Sequence, residues 1–163
     1  MERKTRKPNR LTNYDYSEPG AYFITICSKD RKFMFWNVGA SITRPKSRAH
    51  LSQTGIIIDE KINLITKHYP EIKVDNYVIM PNHVHLLLSN FREPLGRAML
   101  APTTDIRVAV QQFKGAVTKQ TGFPVWQKSF HDHVIRNERS YRFIYDYIDN
   151  NPYHWLEDKL YIE

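Results

Sequence analysis

The chain has a single cysteine, Cys27, among its 163 residues, and only six glycines. One thiol excludes an internal disulfide and any cysteine-built zinc cluster, and a reducing cytoplasm is the simplest home for it. Long apolar runs are lacking as well, so no segment reads as a membrane span. The basic stretch from Arg3 to Arg10 has no apolar segment behind it, which does not read as a secretory signal. Internal repeats and low-complexity tracts are also missing.

What is present is a globular composition, 41% hydrophobic and 25% charged, of a length that suits one self-sufficient core. The balance is basic, +7 at neutral pH with a pI of about 9.5. A surface of that sign attracts polyanions at long range, which makes nucleic acid the expected partner and gives no reason to expect a membrane. Residues 1–18 read as a basic N-terminal arm and 19–163 as one domain. Arg3, Lys4, Arg6, Lys7 and Arg10 in the arm, with Lys114 and Arg136 in the domain, are candidate phosphate contacts.

Periodicity predicts a strand over Ala21 to Cys27, and loop or a short hairpin from Phe33 to Val38. A helix is predicted from about Ser52 to His68, with Ile58, Ile62 and Ile65 on one stripe. Strands are predicted over Lys73 to Met80 and His83 to Ser89, with Pro81-Asn82 as a turn or kink between them. Asp105 caps a further helix with Ile106, Val110, Phe113 and Val117 on its inner stripe, ended by Gly122. A strand is placed at Ser129 to Ile135, and a last helix runs from Asn137 to Asn151, before Pro152. The order β-α-β-β-α-β with a terminal helix is the ferredoxin-like split βαβ pattern, an α+β fold with an antiparallel sheet.

The most informative segment is Tyr77-Val78-Ile79-Met80-Pro81-Asn82-His83-Val84-His85-Leu86-Leu87-Leu88. Side chains two apart on a strand share a face, so His83 and His85 project together while Val84, Leu86 and Leu88 cover the other side. Burying two imidazoles on a rigid apolar strand suits a metal site. On the last helix Phe143, Ile144, Tyr147 and Ile148 form one stripe, expected to face the sheet. Asn151 falls on the same face as Tyr147, and a buried amide there needs a partner. Two imidazoles and an amide oxygen leave coordination positions open for water and a phosphate oxygen. A tyrosine one turn away is then placed to attack that phosphate. His131-Asp132-His133 is a second His-x-His pair and competes for the metal.

The segment from Tyr77 to His85 resembles the paired-histidine motif of the single-tyrosine HUH transposases. Asp132-His133-Val134-Ile135-Arg136-Asn137 and Tyr147-Ile148-Asp149-Asn150-Asn151-Pro152 resemble the C-terminal part of that family, nearest to its branch associated with repetitive extragenic palindromes (REPs). Trp126-Gln127 with Phe130, and Gln112-Phe113-Lys114-Gly115, agree with that branch. The resemblance implies an enzyme that cuts and rejoins single-stranded DNA beside imperfect hairpins. It implies that His83, His85 and Asn151 bind Mg²⁺ or Mn²⁺, and that Tyr147 forms a 5′-phosphotyrosine link and releases a 3′-hydroxyl. Of the second pair only His133 matches the family, as a supporting or DNA-contacting residue. Members of the family act as monomers or as homodimers. A DNA- or RNA-hairpin-binding protein without cleavage activity is the alternative reading.

Overall fold

The computed structural model describes residues 10–40, 48–91 and 104–161. Their elements are β1 (Gly20–Cys27), α1 (Gln53–Asn63), α2 (Ile65–His68), β2 (Ile72–Ile79), β3 (His83–Asn90), α3 (Ile106–Thr121), β4 (His131–Ile135) and α4 (Glu138–Asn150). The sheet runs β2-β3-β1-β4, with every neighbouring pair antiparallel. This is the ferredoxin-like arrangement with a C-terminal helix added, as the element order predicts.

Strand alternation divides the molecule into two faces. On one, Tyr22, Ile24, Ile26, Val84, Leu86, Leu88 and Val134 pack with Ile58, Ile62, Val110, Phe113 and Val117 of α1 and α3. On the other, Val78, Met80, Leu87 and Ile135 pack with Ile144 and Ile148 of α4. A bulge between Val74 and Asn76 rephases β2. Asn76 thereby turns to α4, where its amide donates to Asp149 Oδ1 at 2.9 Å, while Tyr77 and Ile79 return to the first face.

The helix caps follow the local sequence. Ser52 Oγ accepts from the Gly55 amide at 3.1 Å, and Asp105 Oδ1 accepts from the Arg107 amide at 2.7 Å. Gly122 closes α3 with φ +77, the left-handed conformation that favours glycine. Position 55 also requires glycine, because a Cβ there would lie 2.2 Å from the Phe35 carbonyl oxygen.

Several expectations are corrected. The helix expected to run unbroken to His68 breaks at Leu64. The Asn63 side chain donates to the Asp59 carbonyl at 2.7 Å, competing with the helical ladder for that acceptor. Of the two readings of Phe33 to Val38 the loop holds, with Trp36 making an isolated bridge to Leu51. Pro152 ends α4, but the path continues as a 3₁₀ turn over Asn151–Glu157, since proline's missing N–H costs nothing in a first turn. Phe143 does not face the sheet; it is 72% exposed.

The described part of the arm is not a free tail. Tyr16 is fully buried in the larger core, and the Arg10 guanidinium pairs with the buried Asp132 carboxylate and donates to the Phe130 carbonyl at 2.8 Å. It also lies 4.0 Å over the Phe130 ring. Arg10 is therefore a structural cation rather than an available phosphate contact. So is Lys114, which is buried with its ammonium donating to the carbonyls of Gln127, Lys128 and Ser129 at 2.9, 3.3 and 3.3 Å. Arg3, Lys4, Arg6 and Lys7 lie outside the described residues. Among the described residues no helix is long and apolar enough to cross a membrane.

Candidate active site

β3 lies inside the sheet, and its first and third residues are the histidines. His83 and His85 are both buried, with their Nε2 atoms 3.1 Å apart. The orientation of His83 is set by Asn82. The Asn82 amide nitrogen donates to the Leu160 carbonyl at 2.7 Å and the Arg31 carbonyl at 3.4 Å. Its oxygen is thereby left to accept from His83 Nδ1 at 2.8 Å. A proton on Nδ1 leaves Nε2 as a bare lone pair. His85 Nδ1 meets Thr25 Oγ1 at 2.9 Å, so the Thr25 oxygen can accept from it and free the second Nε2 in the same way.

Burial holds both imidazoles neutral. Desolvation, reinforced by the nearby Arg31 cation, pushes His83 down to about 3. Desolvation, with the second histidine beside it, takes His85 well below its ordinary range. Neutral imidazoles with free Nε2 atoms are the form that ligates a metal.

Asp158 completes the cluster. The ligand atoms of His83, His85 and Asp158 all lie within 4.8 Å of one another, and Asp158 Oδ2 is 3.8 Å from His83 Nε2. With His83 neutral, that contact is a pair of convergent acceptors rather than a salt bridge. Asn151 is buried next to them; its amide nitrogen donates to Asp158 Oδ2 at 3.0 Å, and its Oδ1 has no hydrogen-bond partner. Leaving such an oxygen unpaired costs about 1–3 kcal/mol. Three convergent acceptors with an orphaned amide oxygen beside them fit a divalent cation.

Tyr147 stands over the cluster. Its ring centroid is 5.4 Å from that of His85 and 6.1 Å from that of Phe23, edge-on to both. Burial first, then the negative charge of Asp158, raise its phenol above the ordinary value, and a hydrogen bond with Asn151 opposes them. Neutralising Asp158 with a cation removes one of the influences that hold the proton on. Tyr141 and Tyr145 pack elsewhere along α4, where Tyr141 interacts with Asp75.

The fold thus brings together His83, His85, Tyr147 and Asn151 from the expected set. It does not bring His133, which is exposed and pairs with Phe23 across the strands. His131, two residues earlier, lines the cavity that holds Tyr147. Arg136 is exposed where β4 leads into α4. Sequence reasoning missed Asp158, an acid in an apolar tail with no spacing signal of its own. It also missed the role of Asn82, whose only signal was its place directly before His83.

Fold and site together define a class of protein with paired histidines on an inner strand of a ferredoxin-like sheet and a tyrosine on a terminal helix above them. The chain is 31% identical to an uncharacterised protein of Haemophilus influenzae, covering 97% of this chain and 94% of that one. It is 24% identical to a second protein of that organism, named a candidate REP-associated tyrosine transposase, over 87% of this chain and 76% of the relative. Among solved structures, a REP-associated tyrosine transposase bound to a REP hairpin shares the fold. That likeness has a TM-score of 0.57 and 20% identity, over 83% of this chain and 68% of that one. No protein-family model matches. The chain therefore belongs with the first, uncharacterised Haemophilus protein, which it matches over nearly its whole length, and it is similar to REP-associated tyrosine transposases in sequence and fold. A transposase-like, DNA-processing function is what these likenesses support.

Proposed function

We propose that the protein is a divalent-metal-dependent, single-stranded DNA endonuclease and strand transferase acting beside imperfect hairpins. The observation that carries this reading is the placing of Tyr147 against His85, on the face where His83, Asp158 and Asn151 converge. Hairpin DNA is the proposed partner because the related solved transposase is bound to a REP hairpin.

His83, His85 and Asp158 hold the metal, Mg²⁺ or Mn²⁺, and the orphaned Asn151 oxygen adds a further ligand. The bound ion supplies Lewis-acid polarisation of the scissile phosphate and offsets the charge of Asp158. Tyr147 Oη gives up its proton to solvent and attacks phosphorus, the bond to the 3′-oxygen breaks, and the departing strand takes a proton from solvent to leave as a 3′-hydroxyl. The 5′-phosphotyrosine keeps the bond energy, so a second 3′-hydroxyl can reverse the step without a nucleotide cofactor. Asn82 and Thr25 fix the imidazole tautomers, while Phe23 keeps the Tyr147 ring over His85. Because Tyr147 meets the histidines of its own chain, this reading does not require a second copy to complete the site.

Labelled hairpin oligonucleotides from DNA flanking the gene, incubated with Mn²⁺ or Mg²⁺ and run on a denaturing protein gel, test the proposal. The expected result is a labelled adduct that EDTA prevents and that Tyr147→Phe lowers on the order of 10⁴-fold or more. Cleavage that survives in Tyr147→Phe would overturn it.

A further inference from the structure

The cavity beside Tyr147 is larger than a metal and a phosphate need. Its volume is about 620 Å³, and its lining includes Phe23, His85, His131, Phe143, Tyr147 and His154, a size within the range of small-molecule pockets. Phe143 and His131 have no part in the chemistry described above. Phe143 is 72% exposed on α4, although Ile144 and Ile148 already supply that helix with its buried face. His131 is exposed on β4, the open edge of the sheet.

We infer that Phe143 and His131 form a stacking subsite for one unpaired nucleobase of the strand whose phosphate Tyr147 attacks. The inference rests on the proposed role of Tyr147. Phe143 precedes Tyr147 by four residues, about 6 Å along the helix, within the reach of a neighbouring nucleotide. Thr25 pairs with His85 on one side and with His131 on the other. The row His85–Thr25–His131 therefore runs from the buried histidine cluster to the sheet edge, about 10 Å at ordinary strand spacing. A single strand entering at that edge meets an aromatic face on the helix and an imidazole on the strand before its phosphate reaches Tyr147.

The occupant is a base rather than a second phosphate. The charged residues of the lining are mixed in sign, Glu157 and Asp158 with Lys159, and Glu157 lies 3.3 Å from His154 Nδ1. Such a wall gives no net attraction to an anion, whereas aromatic faces take any base through its π-system.

Hairpin oligonucleotides from the flanking DNA, each with an unpaired tail, provide the test. Binding is read by fluorescence anisotropy in a Tyr147→Phe background, so affinity is measured without chemistry. Adding Phe143→Ala should weaken binding about 5- to 150-fold, the equivalent of 1–3 kcal/mol of lost stacking. Phe143→Tyr should stay within about twofold, and His131→Ala should lose less than Phe143→Ala. One abasic position in the tail should weaken the parent by a similar factor and leave Phe143→Ala unaffected. Equal affinity of Phe143→Ala and its parent, or a loss that persists on every abasic oligonucleotide, would overturn the subsite. With the intact chain still forming its Tyr147 adduct, that result sinks the subsite alone. No binding to any hairpin overturns both readings.

Discussion

The two faces of the sheet are built from the same strands and do opposite things with their polar groups. On the α1/α3 face, buried charges are tied into the fold: Arg10 to Asp132, and Lys114 to three carbonyls. Trp126 Nε1 and Asn90 Oδ1 are unpartnered there, but each stands alone. On the α4 face two imidazoles and a carboxylate converge around one point, and the Asn151 amide that donates to that carboxylate leaves its oxygen without a partner. A core that satisfies its polar groups gains rigidity, and one that leaves acceptors convergent is prepared for a cation. β3 serves both faces, since alternation sends Val84, Leu86 and Leu88 one way and His83, His85 and Leu87 the other.

A substitution on the apolar side of β3 should break the first face and spare the second. Leu86 is fully buried between α1 and α3, and Leu86→Ala is expected to cost about 2–5 kcal/mol in urea unfolding. Surviving Leu86→Ala protein should still form the Tyr147 adduct at low temperature. Loss of chemistry in fully folded Leu86→Ala would show that the faces are not separable.

Acid should act on the α4 face first. His83 titrates near 3 in the fold and His85 well below its ordinary value, against about 6.5 when unfolded. The unfolded chain therefore binds more protons in this range, so stability falls with falling pH. Their contribution is fully present above about pH 6.5 and is lost on descending towards 3, at no more than about 1.4 kcal/mol per pH unit for each histidine. Thermal melts of metal-free protein across that window should show the fall, and His83→Gln should flatten it. An unchanged slope in the variant would place the acid sensitivity elsewhere.

Asn82→Ala should sharpen the contrast from beneath the metal site. It removes the acceptor that fixes His83 Nδ1–H, and Mn²⁺ affinity measured by calorimetry should drop about 10- to 100-fold. Unaltered affinity would leave Asn82 with only a structural part.

The smallest effect separates an exposed cation from a buried one. Arg136→Ala should lower hairpin affinity a few-fold and reduce the salt slope by about 1, with the melting temperature unchanged. Lys114→Met should do the reverse, altering stability and leaving the salt slope alone. An altered slope in Lys114→Met would return that residue to the DNA-facing set.

Local rules made the elements legible. Strand alternation separated His83 and His85 from Val84, Leu86 and Leu88, and the caps at Asp105 and Gly122 marked helix ends that the fold keeps. Spacing on α4 likewise put Tyr147 and Asn151 on one face. Charge, by contrast, misled at Arg10 and Lys114, because nothing in a cation's neighbours along the chain says whether a carboxylate or a carbonyl cluster awaits it. Phe143 was assigned to the buried stripe on periodicity, which gives a residue's direction around a helix but not the width of the surface that helix covers.

The sequence by itself therefore determined the order of elements, the two-faced strand with its paired histidines, and the shared helical face of Tyr147 and Asn151, all of which depend on spacing within a few residues. Tertiary structure alone decided that Asp158 and the Leu160 carbonyl return to the histidines, that Arg10 and Lys114 are structural, and that Phe143 stands open beside Tyr147. Each of those depends on where distant segments meet, with Arg10 and Asp132 122 positions apart and Asn82 and Leu160 78 apart. No periodic pattern encodes such a meeting; it follows from packing the two faces against their helices.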